Sequence, residues 1–128
     1  MLITLERNSG TPVFRQICEQ VRFQVAAGVL RSGSEVPSTR DLAGNLGINP
    51  MTVSKAYALL EQEGVLERRP GLALVVRERG SAVRAESRQE ELERALRPAA
   101  VAARQLGISE KDALDVFKRL LRESRDAP

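Results

Sequence analysis

The strongest periodicity in the chain lies between positions 37 and 76. Leu42, Ala43 and Leu46 fall on one face at helical spacing, and Val53, Ala56, Tyr57 and Leu60 recur at i, i+3, i+4 and i+7 on a second. Ser38 and Asp41 form a capping box that starts the first helix. Gly47 stops it, because glycine takes the left-handed conformation at low cost. Ile48 is an apolar plug in the turn. Asn49-Pro50 restarts a helix: Asn caps, and Pro sits where its missing N–H is no loss. Gly64 ends the second helix. β-prone runs over 65–69 and 72–76 then flank Pro70-Gly71, which predicts a hairpin. The order is helix, turn, helix, wing.

The flanking patterns are simpler. Leu2, Thr4 and Glu6 alternate with Ile3 and Leu5, which predicts a short leading strand, and Asn8-Ser9-Gly10 is a turn. Phe14, Ile17, Cys18, Val21 and Val25 form a stripe that predicts a helix over 12–27 packed under the helix-turn-helix. Cys18 lies in that stripe and reads as a small buried hydrophobe rather than a redox sensor. Residues 33–37 form a loop. Residues 77–86 are polar, a linker or a loosely started helix. Ser87 and Glu90 form a second capping box. Leu92, Leu96, Ala99, Ala103 and Leu106 follow as a heptad-like seam, in which the alanines allow close helix approach. Pro98 removes the bond to the Arg94 carbonyl and should kink or split this helix. Ser109 and Asp112 open a last helix with Ala113, Leu114, Phe117, Leu120 and Leu121 as its stripe, and residues 124–128 should fray.

The predicted fold class is therefore mainly α with a small β wing. A winged helix-turn-helix domain spans 1–79, and a linker with a two-helix segment spans 80–128. Two helices alone leave half of each stripe wet, so they must pack on the winged helix, on a second copy, or on both. A second copy is favoured, because one recognition helix reads only a few base pairs. The dimerisation residues are then Leu92, Leu96, Ala99, Ala103, Leu106, Leu114, Phe117, Leu120 and Leu121.

Composition narrows the picture. The net charge of +3 is spread over both halves, with 10 basic and 8 acidic residues in 1–79, so placement of charge matters more than its total. One Cys and no His argue against a disulfide framework and a metal site. With no run of about 18 apolar residues and no signal peptide, a cytoplasmic protein with no membrane partner is expected. No nucleophile–base pair or phosphate loop points to an enzyme, and no cofactor is expected.

The chemistry lies at the tip of the second helix. Small polar groups, a methyl-contacting side chain and a cation suit entry into the major groove, and the Met51 and Thr52 amides offer a phosphate site. Arg68 and Arg69 put positive charge beside the hairpin tip. Glu61, Glu63 and Glu67 read as a solvated face.

Residues 36–76 resemble the winged-helix domain of GntR-type bacterial transcription regulators, whose pattern is roughly L-P-S-x-R-x-L-A-x-x-L-G-[VI]-[SN]-x-x-T-V-x-x-A-[YL]-x-x-L-E-x-x-G-[LV]-[LI], followed by R-x-G-x-G. Pro37, Ser38, Arg40, Leu42, Ala43, Leu46, Gly47, Ile48, Asn49, Thr52, Val53, Ala56, Tyr57, Leu60, Glu61 and Gly64 occupy their places. Val36 replaces the usual Leu. Ala73 stands where a second glycine is common, so its Cβ restricts the approach of the wing tip. The resemblance implies that Arg40 contacts DNA. The full set of candidate contacts is Ser38, Thr39, Arg40, Asn49, Pro50, Met51, Thr52, Ser54 and Lys55 on the helices, with Arg68, Arg69 and Gly71 on the wing. The short tail resembles the YtrA subfamily, whose tail serves dimerisation and whose members often repress ABC-transporter operons. The expected partners are double-stranded DNA and a second copy, and any small-molecule effector would bind at the dimer interface. The competing reading is a winged helix used for protein–protein interaction without a specific DNA site.

Overall fold

The computed structural model describes residues 1–71 and 73–126. Leu72, the first residue of the predicted second strand, and Ala127 and Pro128 in the tail lie outside them. The chain resolves into two compact units, residues 1–89 and 90–128.

In the first unit, helix α1 (Val13–Ala26) packs against helix α3 (Pro50–Gln62), which also packs against helix α2 (Thr39–Leu46). The predicted stripes form the core: Ile17, Val21, Val53 and Leu60 are fully buried, with Leu42, Ala43, Ala56 and Tyr57 around them. Cys18 is buried in this cluster and donates its Sγ–H to the Ala56 carbonyl at 3.4 Å. Burial pushes its thiol pKa up.

Residues 2–6 are not a strand. Ile3 is buried, but among the described residues no second strand pairs with this arm. Three glutamines one helical turn apart on α1 take that role. Gln24 Nε2 donates to the Leu2 carbonyl at 2.6 Å. Gln20 accepts from Thr4 N–H at 2.9 Å and donates to its carbonyl at 2.7 Å. Gln16 accepts from Glu6 N–H at 2.8 Å and donates to the carbonyls of Glu6 and Thr11, both at 2.9 Å. Side-chain amides thus stand in for a partner strand.

The wing is an antiparallel pair, β1 (Leu66–Arg68) and β2 (Leu74–Val76), in the register Leu66↔Val76, Glu67↔Val75 and Arg68↔Leu74. Each strand has three residues, fewer than the β-prone runs predict. All of β2 is buried because its other edge is also covered. The segment read as a loop forms a bridge Glu35↔Val75, with Val36 N–H on the Leu74 carbonyl at 3.0 Å and Val76 N–H on the Ser34 carbonyl at 2.9 Å.

Helix α4 (Ser81–Gln105) starts well before Ser87. Ser87 caps nothing; its Oγ accepts from Arg79 Nη1 at 3.3 Å, and Arg79 also donates to the Gly64 carbonyl at 3.3 Å. Pro98 does not split α4. Its missing N–H removes one bond, but Ala95, Leu96 and Arg97 before it and Ala99 and Ala100 after it are helix formers that carry the helix across.

In the second unit, the later part of α4 turns at Gly107 into helix α5 (Glu110–Asp126). Ser109 Oγ accepts from Asp112 N–H at 3.1 Å, as the capping box predicts. The last helix runs to Asp126, and the final two residues of the stretch expected to fray lie outside the described residues. Among the described residues, no helix is long and apolar enough to cross a membrane.

Candidate nucleic-acid interface

Local bonding fixes how α2 delivers the chain to α3. Ser38 Oγ accepts from Asp41 N–H at 3.0 Å and starts α2. Gly47, at φ 67°, ends it in the left-handed conformation. The next N–H, that of Ile48, reaches back to the Ala43 carbonyl at 3.1 Å, and Ile48 packs on the core. Asn49 Oδ1 accepts from Met51 N–H at 2.9 Å, while its own carbonyl accepts from Thr52 N–H at 3.0 Å. Both amides expected to be free for a phosphate are thus engaged by Asn49. An anion at this tip must be held by side chains instead.

Tyr57 ties α3 to the start of α2. Its hydroxyl donates to the Pro37 carbonyl at 2.8 Å, one residue before the Ser38 cap. The ring is buried, and burial holds its pKa above the ordinary phenol range.

The remaining surface of α2 and α3 faces solvent. Ser38, Arg40, Asn49, Pro50, Met51, Ser54 and Lys55 are exposed, Met51 at 75%, and Thr39 and Thr52 are half-buried. Among the described residues, no carboxylate lies within ion-pair distance of Arg40 or Lys55. Lys55 Nζ stands 4.0 Å from the Phe14 ring centroid, and the Arg15 guanidinium stands 5.5 Å from the same centroid. The wing is different. Gly71 is exposed at its tip, but Arg69 pairs with Glu67 at 2.9 Å and Arg68 with Glu61 at 3.9 Å. Glu63 is held by Arg22 at 2.8 Å. The three glutamates lie on a solvent-facing surface, as read from the sequence, and each is ion-paired there. Exposed pairs of this kind are worth about 0–1 kcal/mol, so a phosphate can displace the carboxylate from either wing arginine.

Phe14 belongs to α1, outside the helix-turn-helix motif. Its place on the apolar stripe of α1 carries no local signal that it lies beneath Lys55. Arg7 also lies outside the motif; its Nη2 reaches within 3.8 Å of where a Cβ on Gly47 would sit.

The second unit carries the other set of candidate residues. Leu96, Ala99, Ala103, Leu106, Leu114, Phe117 and Leu120 line one apolar groove of about 460 Å³ between α4 and α5, while Leu92 and Leu121 lie outside it. Leu106 is 73% exposed, and Leu92, Leu114, Leu120 and Leu121 are each about half exposed.

Comparison with known proteins bears on this geometry. The family model for bacterial regulatory proteins of the gntR family matches residues 14–83. The chain is 31% identical over 107 residues to the HTH-type transcriptional repressor YtrA of Bacillus subtilis (strain 168), spanning 84% of this chain and 82% of that protein. It is 40% identical over 67 residues to the HTH-type transcriptional regulator Rv1152 of Mycobacterium tuberculosis, spanning 52% of this chain and 55% of that one. Among solved structures, YtrA from Sulfolobus acidocaldarius, a GntR-family transcription factor, aligns with a TM-score of 0.58 and 31% identity over 97% of this chain and 100% of its own. A transcriptional antiterminator from Listeria monocytogenes EGD-e aligns with a TM-score of 0.71 and 26% identity, covering 94% of this chain and 90% of that one. The match covers the helix-turn-helix and the wing built above, and by it the chain belongs to the GntR family of bacterial transcription regulators, non-enzymatic proteins with a DNA-binding winged-helix domain.

Proposed function

We propose that the chain is a homodimeric, sequence-specific transcriptional repressor whose two recognition helices read the halves of a two-fold operator. The reading rests on one observation. The tip of α3 is polar and carries a cation without a carboxylate, while the stripe on α4 and α5 is apolar and exposed. The first face suits base edges and phosphates; the second suits another copy of itself. Arg40, Thr52, Ser54 and Lys55 are the leading helix contacts, with Ser38, Thr39, Asn49, Pro50 and Met51 beside them and Arg68, Arg69 and Gly71 on the wing. Two copies would place α3 in major grooves one helical turn apart, about 34–36 Å centre to centre.

The repressor role is carried over from similarity to YtrA of Bacillus subtilis, and ABC-transporter operons are the target class to which that resemblance points. Action would be in the cytoplasm, and a small-molecule effector would bind at the dimer interface. Sedimentation of the full chain and of Leu114→Asp, alongside a gel shift on DNA upstream of the chain's own gene, tests the proposal. The wild type should sediment as a dimer and bind with a steep salt dependence. Leu114→Asp should be monomeric and bind more weakly. A monomeric wild type, or binding indifferent to salt, would overturn the reading; the latter is the behaviour of a protein–protein module.

A further inference from the structure

Two cations outside the helix-turn-helix stand beside its reading tip. Gln16 is 7% exposed, and its bonds to Glu6 and Thr11 pin both ends of the loop at 7–10. Ser9 N–H closes the loop onto the Glu6 carbonyl at 3.3 Å. From this fixed loop Arg7 extends across the turn of the motif, with Nη2 3.8 Å from the position of a Cβ on Gly47. On the α1 side, Phe14 serves as a common platform for Arg15 and Lys55. Among the described residues, Arg7, Arg15 and Lys55 have no carboxylate within ion-pair distance, whereas Arg22, Arg68 and Arg69 each have one. In a chain with 17 acidic residues, three uncompensated cations therefore gather around the N-terminal half of α3.

Phosphates line both edges of the major groove, and a guanidinium fork matches their oxygens. We propose that Arg7 and Arg15 clamp the DNA backbone beside the groove that α3 enters, with Phe14 as a positioning residue that holds Lys55 towards the same strand. Arg7 grips from the turn side and Arg15 from the α1 side. Neither reads bases, so both strengthen binding to every sequence alike. The loop at 7–10 is already fixed before DNA arrives, so the clamp loses little conformational freedom on binding. The proposal rests on the reading of α3 as the recognition helix.

The test uses the full chain and fluorescence anisotropy on two duplexes: one recovered by the wild type from a randomised pool, and a scrambled version of it. Arg7→Ala and Arg15→Ala should each weaken both duplexes by a common factor. Each should also lower the slope of log affinity against log salt by about 0.9 for every phosphate the side chain neutralises. Arg7→Lys and Arg15→Lys should restore the slope. Arg40→Ala, by contrast, should shrink the ratio between selected and scrambled duplexes. Both arginines are exposed, so the variants fold. Unchanged slopes in both alanine variants, while Arg40→Ala still loses selectivity, would overturn the clamp and leave the recognition helix standing. A wild type that binds neither duplex would overturn both.

Discussion

Tyr57 offers a direct test of how α3 is held against the start of α2. It is the chain's single tyrosine, and there is no tryptophan, so its near-ultraviolet titration is read without overlap from another phenol or an indole. Replacing it with Phe keeps the ring in the core and removes one hydrogen bond, the 2.8 Å bond from its hydroxyl to the Pro37 carbonyl. That carbonyl is left without this partner, at a cost of about 1–2 kcal/mol. For a unit of this size each kcal/mol lowers the melting temperature by about 4–8 °C. The pH dependence supplies an independent sign. Burial raises the folded-state pKa above its ordinary 10.0, so folded protein holds the phenol proton more tightly than unfolded protein. The contribution is fully present below pH 10.0, and it is lost as pH rises from there through the folded-state pKa. The loss runs at up to about 1.4 kcal/mol per pH unit. The wild type should therefore lose more stability above that pH than Tyr57→Phe does. Denaturant melts at several alkaline pH values, paired with a tyrosinate absorbance titration, measure both effects. A native titration midpoint at the ordinary phenol value, or Tyr57→Phe melting with the wild type, would refute the reasoning.

Two further outcomes follow from the same geometry. Arg40→Ala should weaken operator binding by about 1–3 kcal/mol if Arg40 reads a base, with no change in melting temperature, since its side chain is exposed; a gel shift at unchanged affinity would show that Arg40 does not touch DNA. Gln16→Leu removes two hydrogen bonds to Glu6 in the arm and one to Thr11, and should cost about 2 kcal/mol in denaturant melts while speeding amide exchange at Glu6. A cost below about 0.5 kcal/mol would mean that Gln20, Gln24 and the buried Ile3 hold the arm without Gln16.

The helix-turn-helix was legible because its signals are local. Ser38, Gly47 and Asn49-Pro50 each act on backbone groups within a turn of themselves, and the two apolar faces are periodic within single helices. What escaped depends on contacts from elsewhere in the chain. The alternation at 2–6 predicts a strand, but alternation cannot say what pairs with the backbone. Gln16, Gln20 and Gln24 did so through side chains that carry no hydrophobic signal. The loop at 33–36 became a covering edge for β2 because β2 lay beside it, a tertiary fact. Ser87 and Glu90 have the spacing of a helix start, yet the helix-forming residues Arg84, Ala85 and Glu86 ahead of them carry α4 further back, and Ser87 binds Arg79 instead. The same limit applies at the candidate interface. Arg40, Thr52 and Lys55 lie in the motif, whereas Phe14 and Arg7 reach it from residues that the motif does not contain.

The two units face opposite problems, and that bears on regulation. The first closes its own core, with Ile17, Val53, Leu60 and Val76 fully buried. In the second, no described residue from 90 to 125 is buried. Covering a fully exposed leucine is worth roughly 1.5–3 kcal/mol, so a half-exposed one gains about half of that. Leu92, Leu106, Leu114, Leu120 and Leu121 together therefore offer several kcal/mol per protomer, and a two-fold pairing counts them twice. That total is of the same order as the roughly 4–15 kcal/mol lost in translational and rotational freedom on association. The balance is close, so a dimer formed this way responds to concentration, and DNA that engages both heads adds its binding energy to the pairing. On the proposed reading, operator occupancy would rise more steeply than in proportion to the amount of protein. The apolar tail would then set the threshold of the response, while the polar tip of α3 sets its sequence.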